Sequence, residues 1–236
     1  MGRYGAILII LSFGFLGTIS GQLSGKSEQS LAEVLMDFSY PSATVQASVP
    51  HAREVLGEVY SRGIAQLDEA HGLIVAQLKK EWANTPWAIH IQAVAAEISR
   101  SAKRYNFDPL LILALIKNES RLHINARGNA GEIGLMQILP NTAAWIAGRK
   151  KIYLADADQL YDPVVNIQIG TAYLNYLRQK FDSHSGHYLA AYNMGAGNLY
   201  RALKNNLQPR AYLGKVMEHY IELYRQIAGP MQIAAQ

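Results

Sequence analysis

Cysteine is absent from the 236-residue chain, which excludes disulfides, thiol nucleophiles, thiolate zinc sites and a lipid on a processed N-terminal cysteine. Basic runs are missing as well. The 22 Lys+Arg against 18 Asp+Glu leave a net charge of +4 that no segment concentrates, so no nucleic-acid partner is expected, although weak attraction to an anionic polymer is. No P-loop glycine pattern occurs. Of the seven histidines only His184 and His187 stand close together, and neither a metal nor a cofactor is expected. No long segment alternates apolar and polar residues, and β-branched runs are scarce beyond the N-terminus, so the expected fold class is all-α. With 50% hydrophobic and 17% charged residues, the chain is neither a disordered polymer nor a multispan membrane protein.

What is present begins with Arg3 and an apolar run over residues 6–16, followed by Gly17, Thr18, Ser20 and Gly21. This is the pattern of a secretory signal, and the run is short for a bilayer span of about 20 residues. Residues 1–21 are therefore expected to be a signal peptide or, left uncleaved, a membrane tether. Residues 22–50, broken by Ser24, Gly25, Pro41 and Pro50, read as a linker. Over residues 52–82 apolar side chains recur at near-helical spacing, which predicts one amphipathic helix or two joined near Gly63 or Gly72. Pro86 restarts the chain into a second helix over residues 89–105, ending near Asn106.

Asp108-Pro109 is a helix start: the aspartate can cap free amides of the first turn, and proline suits the first helical position. The apolar residues 110–116 behind it predict a helix buried all round. Residues 121–134, with Gly128, Gly131 and Gly134, read as a loop. A short helix follows from Pro140 to a stop at Gly148. Asp162-Pro163 repeats the capping pair and opens a long helix through Gln179. A small-residue helix is expected over 187–192, a turn over 195–197, a brief helix over 199–203, and a terminal helix over 211–227 closed by Gly229.

The buried helix ends in Lys117-Asn118-Glu119-Ser120, so a carboxylate emerges from apolar surroundings where the chain turns irregular. Desolvation there raises a carboxyl pKa and keeps it protonated near neutrality, as a general acid requires. The plainer reading is a glutamate pointing into water. Three strings accompany Glu119-Ser120 in order: Gly134-Leu135-Met136-Gln137 with Pro140, Thr142 and Ala143; Asp162-Pro163 with Asn166-Ile167, Gly170 and Tyr173-Leu174; and Ala191-Tyr192-Asn193-Met194-Gly195.

On these strings, the sequence from Asn106 to about Tyr224 resembles the bacterial lytic transglycosylases of the soluble, goose-lysozyme-related type, which act on peptidoglycan. The resemblance implies a lysozyme-like catalytic domain over residues 106–228, with residues 51–105 as an N-terminal helical extension. It implies Glu119 as the single catalytic acid/base and Ser120 as its neighbour in the site. Met136 and Gln137 become the groove wall beside the sugar, with Tyr192 and Asn193 facing the glutamate across the cleft. A tyrosine hydroxyl can fix the carboxyl's orientation, and Gln137 offers both donor and acceptor to an N-acetylated sugar. As plain packing, Tyr192 and Met136 would be core residues, Gln137 a loop tie and Asn193 a helix cap.

Two positions depart from the resembled pattern. A serine often lies nine residues after the catalytic glutamate, where this chain has Gly128, and a small residue commonly stands where it has Glu132. Ordinary glycosidases pair two carboxylates, so Glu132 is a candidate second group, although its glycine-rich turn suggests a loop residue held by backbone amides. The expected function is an exported, periplasmic or secreted, lytic transglycosylase whose partner is the peptidoglycan glycan strand. The alternatives are a muramidase- or chitinase-type hydrolase on the same fold, with Glu132 or Asp162 orienting water, and an inactive glycan-binding envelope scaffold.

Overall fold

Helix α3 (Pro109–Ser120) is the axis on which the rest is built. In the computed structural model, which describes residues 67–181 and 186–228, every side chain from 110 to 116 has no solvent exposure. Burying a leucine or isoleucine is worth about 1.5–3 kcal/mol, so this seven-residue run is held by packing rather than by helix propensity. Both of its ends are defined locally. Asp108 accepts from the Leu110 amide at 2.8 Å with Pro109 in the first turn, and Arg121 closes the other end in the left-handed conformation (φ 51°). The Asp108 carboxylate also accepts from the hydroxyl of Tyr220 at 2.8 Å and from that of Tyr224. The start of α3 is thereby tied to the final helix, α8 (Ala211–Ala228).

Around α3 lie α1 (Leu67–Trp82), α2 (Ile91–Tyr105) and α8, all in contact with it. Ala70, Ile74, Leu78 and Trp82 bury the inner face of α1, and the Trp82 indole donates to the Leu122 carbonyl at 2.9 Å. Between α1 and α2 a 3₁₀ turn spans Pro86–His90, capped by Thr85. Helix α2 stops at Asn106 (φ 53°), as the sequence suggests.

Helix α5 (Pro163–Lys180) packs against α2, α4 (Pro140–Lys150) and α6 (His187–Met194), with α7 (Ala196–Lys204) beyond α6. Its start uses the same device as α3: Asp162 accepts from the amides of Val164 and Val165 at 2.8 and 3.1 Å. A buried polar tie joins α2 to α5. Glu97 accepts from Ser101 Oγ at 2.7 Å and from Gln168 Nε2 at 3.2 Å, and it also pairs with Arg100.

The described residues contain no strand, only isolated antiparallel bridges from Ile133 to Arg127 and to Ile138. The all-α class is as expected. Two glycine-based boundaries differ from the sequence expectation. Gly148 lies inside α4, which runs on to Lys150 and closes at Lys151 (φ 55°). Gly197 lies inside α7, so the expected turn over 195–197 contracts to Gly195 (φ 80°) between two helices. A glycine costs a helix only about 1 kcal/mol relative to alanine, so it ends a helix where the backbone must turn left-handed and not elsewhere. Similarly, Gly72 sits within α1 without breaking it. The expected signal, linker, first part of the amphipathic segment and Gly229 stop lie outside the described residues. No helix among the described residues is long and apolar enough to cross a membrane.

Candidate active site

Glu119 occupies the last turn of α3, half-buried, immediately before two left-handed residues, Arg121 and Leu122 (φ 64°), that turn the chain away. Because α3 is apolar up to Ile116, the carboxyl sits at the rim of a dry core, and burial pushes its pKa above the usual carboxylate value. The hydroxyl of Tyr212 and the side chain of Asn118 hydrogen-bond it and partly offset that rise, while the charge of Glu132 adds to it. The result is a carboxyl that holds its proton more tightly than one in water.

The hydroxyl that reaches Glu119 belongs to Tyr212, in the first turn of α8, and it donates to Oε1. Tyr192 does something else. It is buried in α6, and its hydroxyl donates to the Met136 carbonyl at 2.8 Å. Burial, and after it the Glu119 charge, raise the pKa of Tyr192 well above its ordinary value; burial and the same charge do so for Tyr212. Both rings therefore remain hydroxyl donors throughout the neutral range. Tyr212 carries no motif signal, being one of 14 tyrosines at the start of an ordinary amphipathic helix. Only the packing of α8 on α3 brings it to the carboxyl.

The Gly134-Leu135-Met136-Gln137 turn is anchored by Asn166 of α5. The buried Asn166 side chain accepts from the Met136 amide at 2.8 Å and donates to the carbonyls of Ile133 and Leu160, each at 2.9 Å. Gly134 is required here: its φ is +80°, and a Cβ would lie 2.3 Å from Asn166 Nδ2. Met136 is fully buried: its side chain packs over Gly170 of α5 and its carbonyl is held by Tyr192. Gln137, at φ 48°, donates from Nε2 to the carbonyls of Gly134 at 2.9 Å and Ala126 at 3.2 Å. It is thus a loop tie whose amide oxygen lies beside Gly128.

The other residues singled out from sequence distribute as follows. Ser120 adjoins Glu119 in the chain but is buried, and its hydroxyl donates to the Ile116 carbonyl of its own helix at 3.1 Å. Asn193 is exposed in the last turn of α6, next to Tyr192.

The two departures noted in the sequence are one structural feature. A Cβ placed on Gly128 would fall 2.2 Å from Glu132 Oε2 and 2.8 Å from Gln137 Oε1, so the Glu132 carboxylate fills the space a side chain at position 128 would take. It is held there by the Ala130 amide at 3.0 Å, and the Gly128 amide donates to the Glu132 carbonyl at 2.9 Å. No group of three or more His, Asp or Glu residues suited to a metal ion occurs among the described residues.

Chemically, the arrangement offers a half-buried proton donor, a hydroxyl that orients it, a turn fixed by Asn166 and Tyr192, and a second carboxylate tied into a loop. Residues 97–213 match the family described as Transglycosylase SLT domain. A membrane-bound lytic murein transglycosylase C of Histophilus somni (strain 2336) is 34% identical over 128 residues, which are 50% of this chain and 35% of that protein. Its counterpart in Haemophilus influenzae (strain PittGG) is 34% identical over 138 residues, 54% of this chain and 38% of that protein. The chain thus spans little more than a third of the length of these curated relatives. Among solved structures, an inactive mutant of the lytic transglycosylase Slt from Pseudomonas aeruginosa aligns with a TM-score of 0.53 at 25% identity, covering 72% of this chain and 31% of that one. The 70 kDa soluble lytic transglycosylase of Escherichia coli, at 21% identity and a TM-score of 0.52, covers 76% of this chain and 34% of that one and shares the fold.

Proposed function

Because the chain belongs, through residues 97–213, to the Transglycosylase SLT domain family, we propose that it is a peptidoglycan lytic transglycosylase in which Glu119 is the single acid/base. In this reading Glu119 protonates the glycosidic oxygen between N-acetylmuramic acid and N-acetylglucosamine, and the bond to the anomeric carbon breaks. The C6 hydroxyl of the same muramoyl residue then attacks that carbon, and the Glu119 carboxylate takes its proton. The product ends in a 1,6-anhydro ring, no water is consumed, and the enzyme returns to its starting protonation state.

The observation that carries the reading is the state of Glu119: half-buried at the end of an apolar helix, oriented by Tyr212, and with its pKa pushed up by burial. Tyr212 and Asn118 position the carboxyl, while Tyr192 holds the Met136 carbonyl and with it the wall that the sugar would face. Gln137 has its amide nitrogen tied to the loop and would meet an acetamido group through its oxygen. Ser120 supports the last turn of α3, and Asn193 stands exposed beside the cleft. An intramolecular hydroxyl can act with an effective molarity of roughly 10⁵ M or more, whereas attack by water needs a base to hold it. Glu132 is tied to the Ala130 amide, which favours the intramolecular route.

Within the extension expected over residues 51–105, the described residues 67–105 fit helices braced on the domain at 106–228, through the buried face of α1 and the Glu97 tie of α2. The chain fits export, with residues 1–21 as signal or anchor, and the relatives' description as membrane-bound is in keeping with an envelope location.

The test is mass spectrometry of the soluble products released from purified sacculi. Fragments ending in 1,6-anhydromuramic acid are expected. Reducing-end fragments as the main product, lost on Glu132→Gln, would replace the reading with a two-carboxylate hydrolase, and binding without release of any fragment would replace it with a glycan-binding scaffold.

A further inference from the structure

A ladder of aromatic rings runs from the site to the surface. The Tyr192 ring lies 5.4 Å, centroid to centroid, from that of Tyr173, and Tyr173 stacks on Tyr176 at 6.5 Å with an interplanar angle of 14°. Tyr176 in turn meets Trp145 of α4 edge-on at 4.7 Å. Tyr173 and Tyr176 are three residues apart on α5, so they share a face, and exposure increases along the ladder from the buried Tyr192 to Trp145, which is 42% exposed. Two exposed cations flank its outer end. The Arg149 guanidinium sits 5.3 Å from the Trp145 ring centre and 6.0 Å from that of Tyr176; Lys180 Nζ is 5.7 Å from the Tyr176 ring and 5.6 Å from that of Tyr200, and it donates to the Tyr176 hydroxyl at 3.3 Å.

Packing explains Tyr173, which is half-buried against Tyr192, but it does not explain an exposed tryptophan continued by two cations. Pyranose rings present apolar C–H faces that pack on aromatic rings, and a row of such rings suits a linear sugar polymer. Arg and Lys beside the row suit carboxylates. We propose that Trp145, Tyr176 and Tyr173, leading outward from Tyr192, are an extended binding track for the glycan strand, with Arg149 and Lys180 receiving carboxylates of its peptide stems. The proposal rests on the peptidoglycan reading above and adds to it where the strand runs beyond the cleaved bond, and which chemical feature of the polymer is recognised there.

The test measures binding apart from cleavage. The full chain carrying Glu119→Gln is co-sedimented with purified sacculi, alone and with Trp145→Ala, Trp145→Phe, or Arg149→Gln together with Lys180→Gln, and thermal unfolding is followed for each. Loss of one stacking ring is expected to weaken binding by about 3- to 10-fold, with Trp145→Phe recovering most of it. The double charge variant is expected to weaken binding by about 2- to 5-fold on intact sacculi and to have no effect on sacculi stripped of their stems by an amidase. Unchanged binding by Trp145→Ala at unchanged thermal stability overturns the track. Should that variant unfold, the charge variant decides: unchanged binding to intact sacculi overturns the proposal, as does an equal loss on stripped strands. Because none of these readouts requires turnover, they fail separately from the product analysis that tests the transglycosylase reading.

Discussion

Tyr212 donates its hydroxyl to Glu119 Oε1, linking the first turn of the final helix to the last turn of the buried one. The consequence is electrostatic as well as geometric, since a donor on the carboxylate favours ionisation while burial and the Glu132 charge oppose it. The balance of these with the Asn118 hydrogen bond sets the pH range over which Glu119 can act as an acid.

Glu119→Gln should abolish fragment release, lowering the rate by at least about 10²–10⁴-fold, the ordinary contribution of a positioned acid/base. It should also stabilise the fold at neutral pH. The native pKa lies above the unfolded value, so the native carboxyl favours its proton: the associated stability is fully present below the unfolded pKa of about 4.5 and is lost as pH rises through the native value. The melting temperature of the variant should therefore match that of the parent at low pH and exceed it at neutral pH, by ~2–4 °C per kcal/mol at this chain size. Equal melting temperatures across the pH series would show that burial does not act on this carboxyl.

Tyr212→Phe should keep the fold and lose the orienting hydroxyl. Removing the bond that lowers the Glu119 pKa must raise it, so the alkaline limb of the kcat/KM profile should move to higher pH while the plateau falls by about 10-fold. Tyr192→Phe, which breaks the bond to the Met136 carbonyl, should lower the plateau with a smaller displacement of the limb. A pH profile for sacculus digestion distinguishes the two.

Glu132→Gln removes a charge that raises the Glu119 pKa, so the alkaline limb should move to lower pH with only a modest loss at the plateau. Gly128→Ser should be destabilising alone, because its Cβ would collide with Glu132 Oε2, and better tolerated with Glu132→Ala. Denaturant unfolding of the four proteins in this cycle should give a coupling of about 0.5–3 kcal/mol; additive effects would mean that the two positions are independent.

Asn166→Ala should be the most damaging of the polar substitutions. It strips the Met136 amide and the Leu160 carbonyl of their Asn166 partner in the core and removes one of two bonds to the Ile133 carbonyl, which still accepts from the Ile138 amide, a loss of about 2–4 kcal/mol by urea denaturation. Asn166→Asp keeps an acceptor for Met136 but sets a carboxylate oxygen against the two carbonyls in a buried site, so it should be no better tolerated than the alanine. Activity should drop in both, since the Met136-Gln137 turn loses its anchor.

The helices were legible wherever local chemistry settles the backbone. Asp108-Pro109 and Asp162-Pro163 start α3 and α5 because a carboxylate and a fixed φ act within three residues, and the unbroken apolar stretch of α3 announced a helix buried on every side. From the same local logic Glu119 could be picked out as a carboxyl at the edge of a dry core, with the ordered strings around Met136-Gln137 and Tyr192-Asn193 pointing to its surroundings. Where the chain had to choose between two tolerated outcomes, as at Gly148 and Gly197, composition alone misplaced the helix ends, because a helix passes through a glycine at small cost unless the following chain must leave in another direction. What only the tertiary structure decided is which side chain meets which. Tyr212 rather than Tyr192 reaches Glu119, because the approach of α8 to α3 is set by apolar packing and by Asp108 with Tyr220 and Tyr224, residues far from the carboxyl itself. Gly128 and Glu132 became one feature only when the loop folded a carboxylate back into the space a missing side chain left, a contact between atoms that no spacing along the sequence encodes.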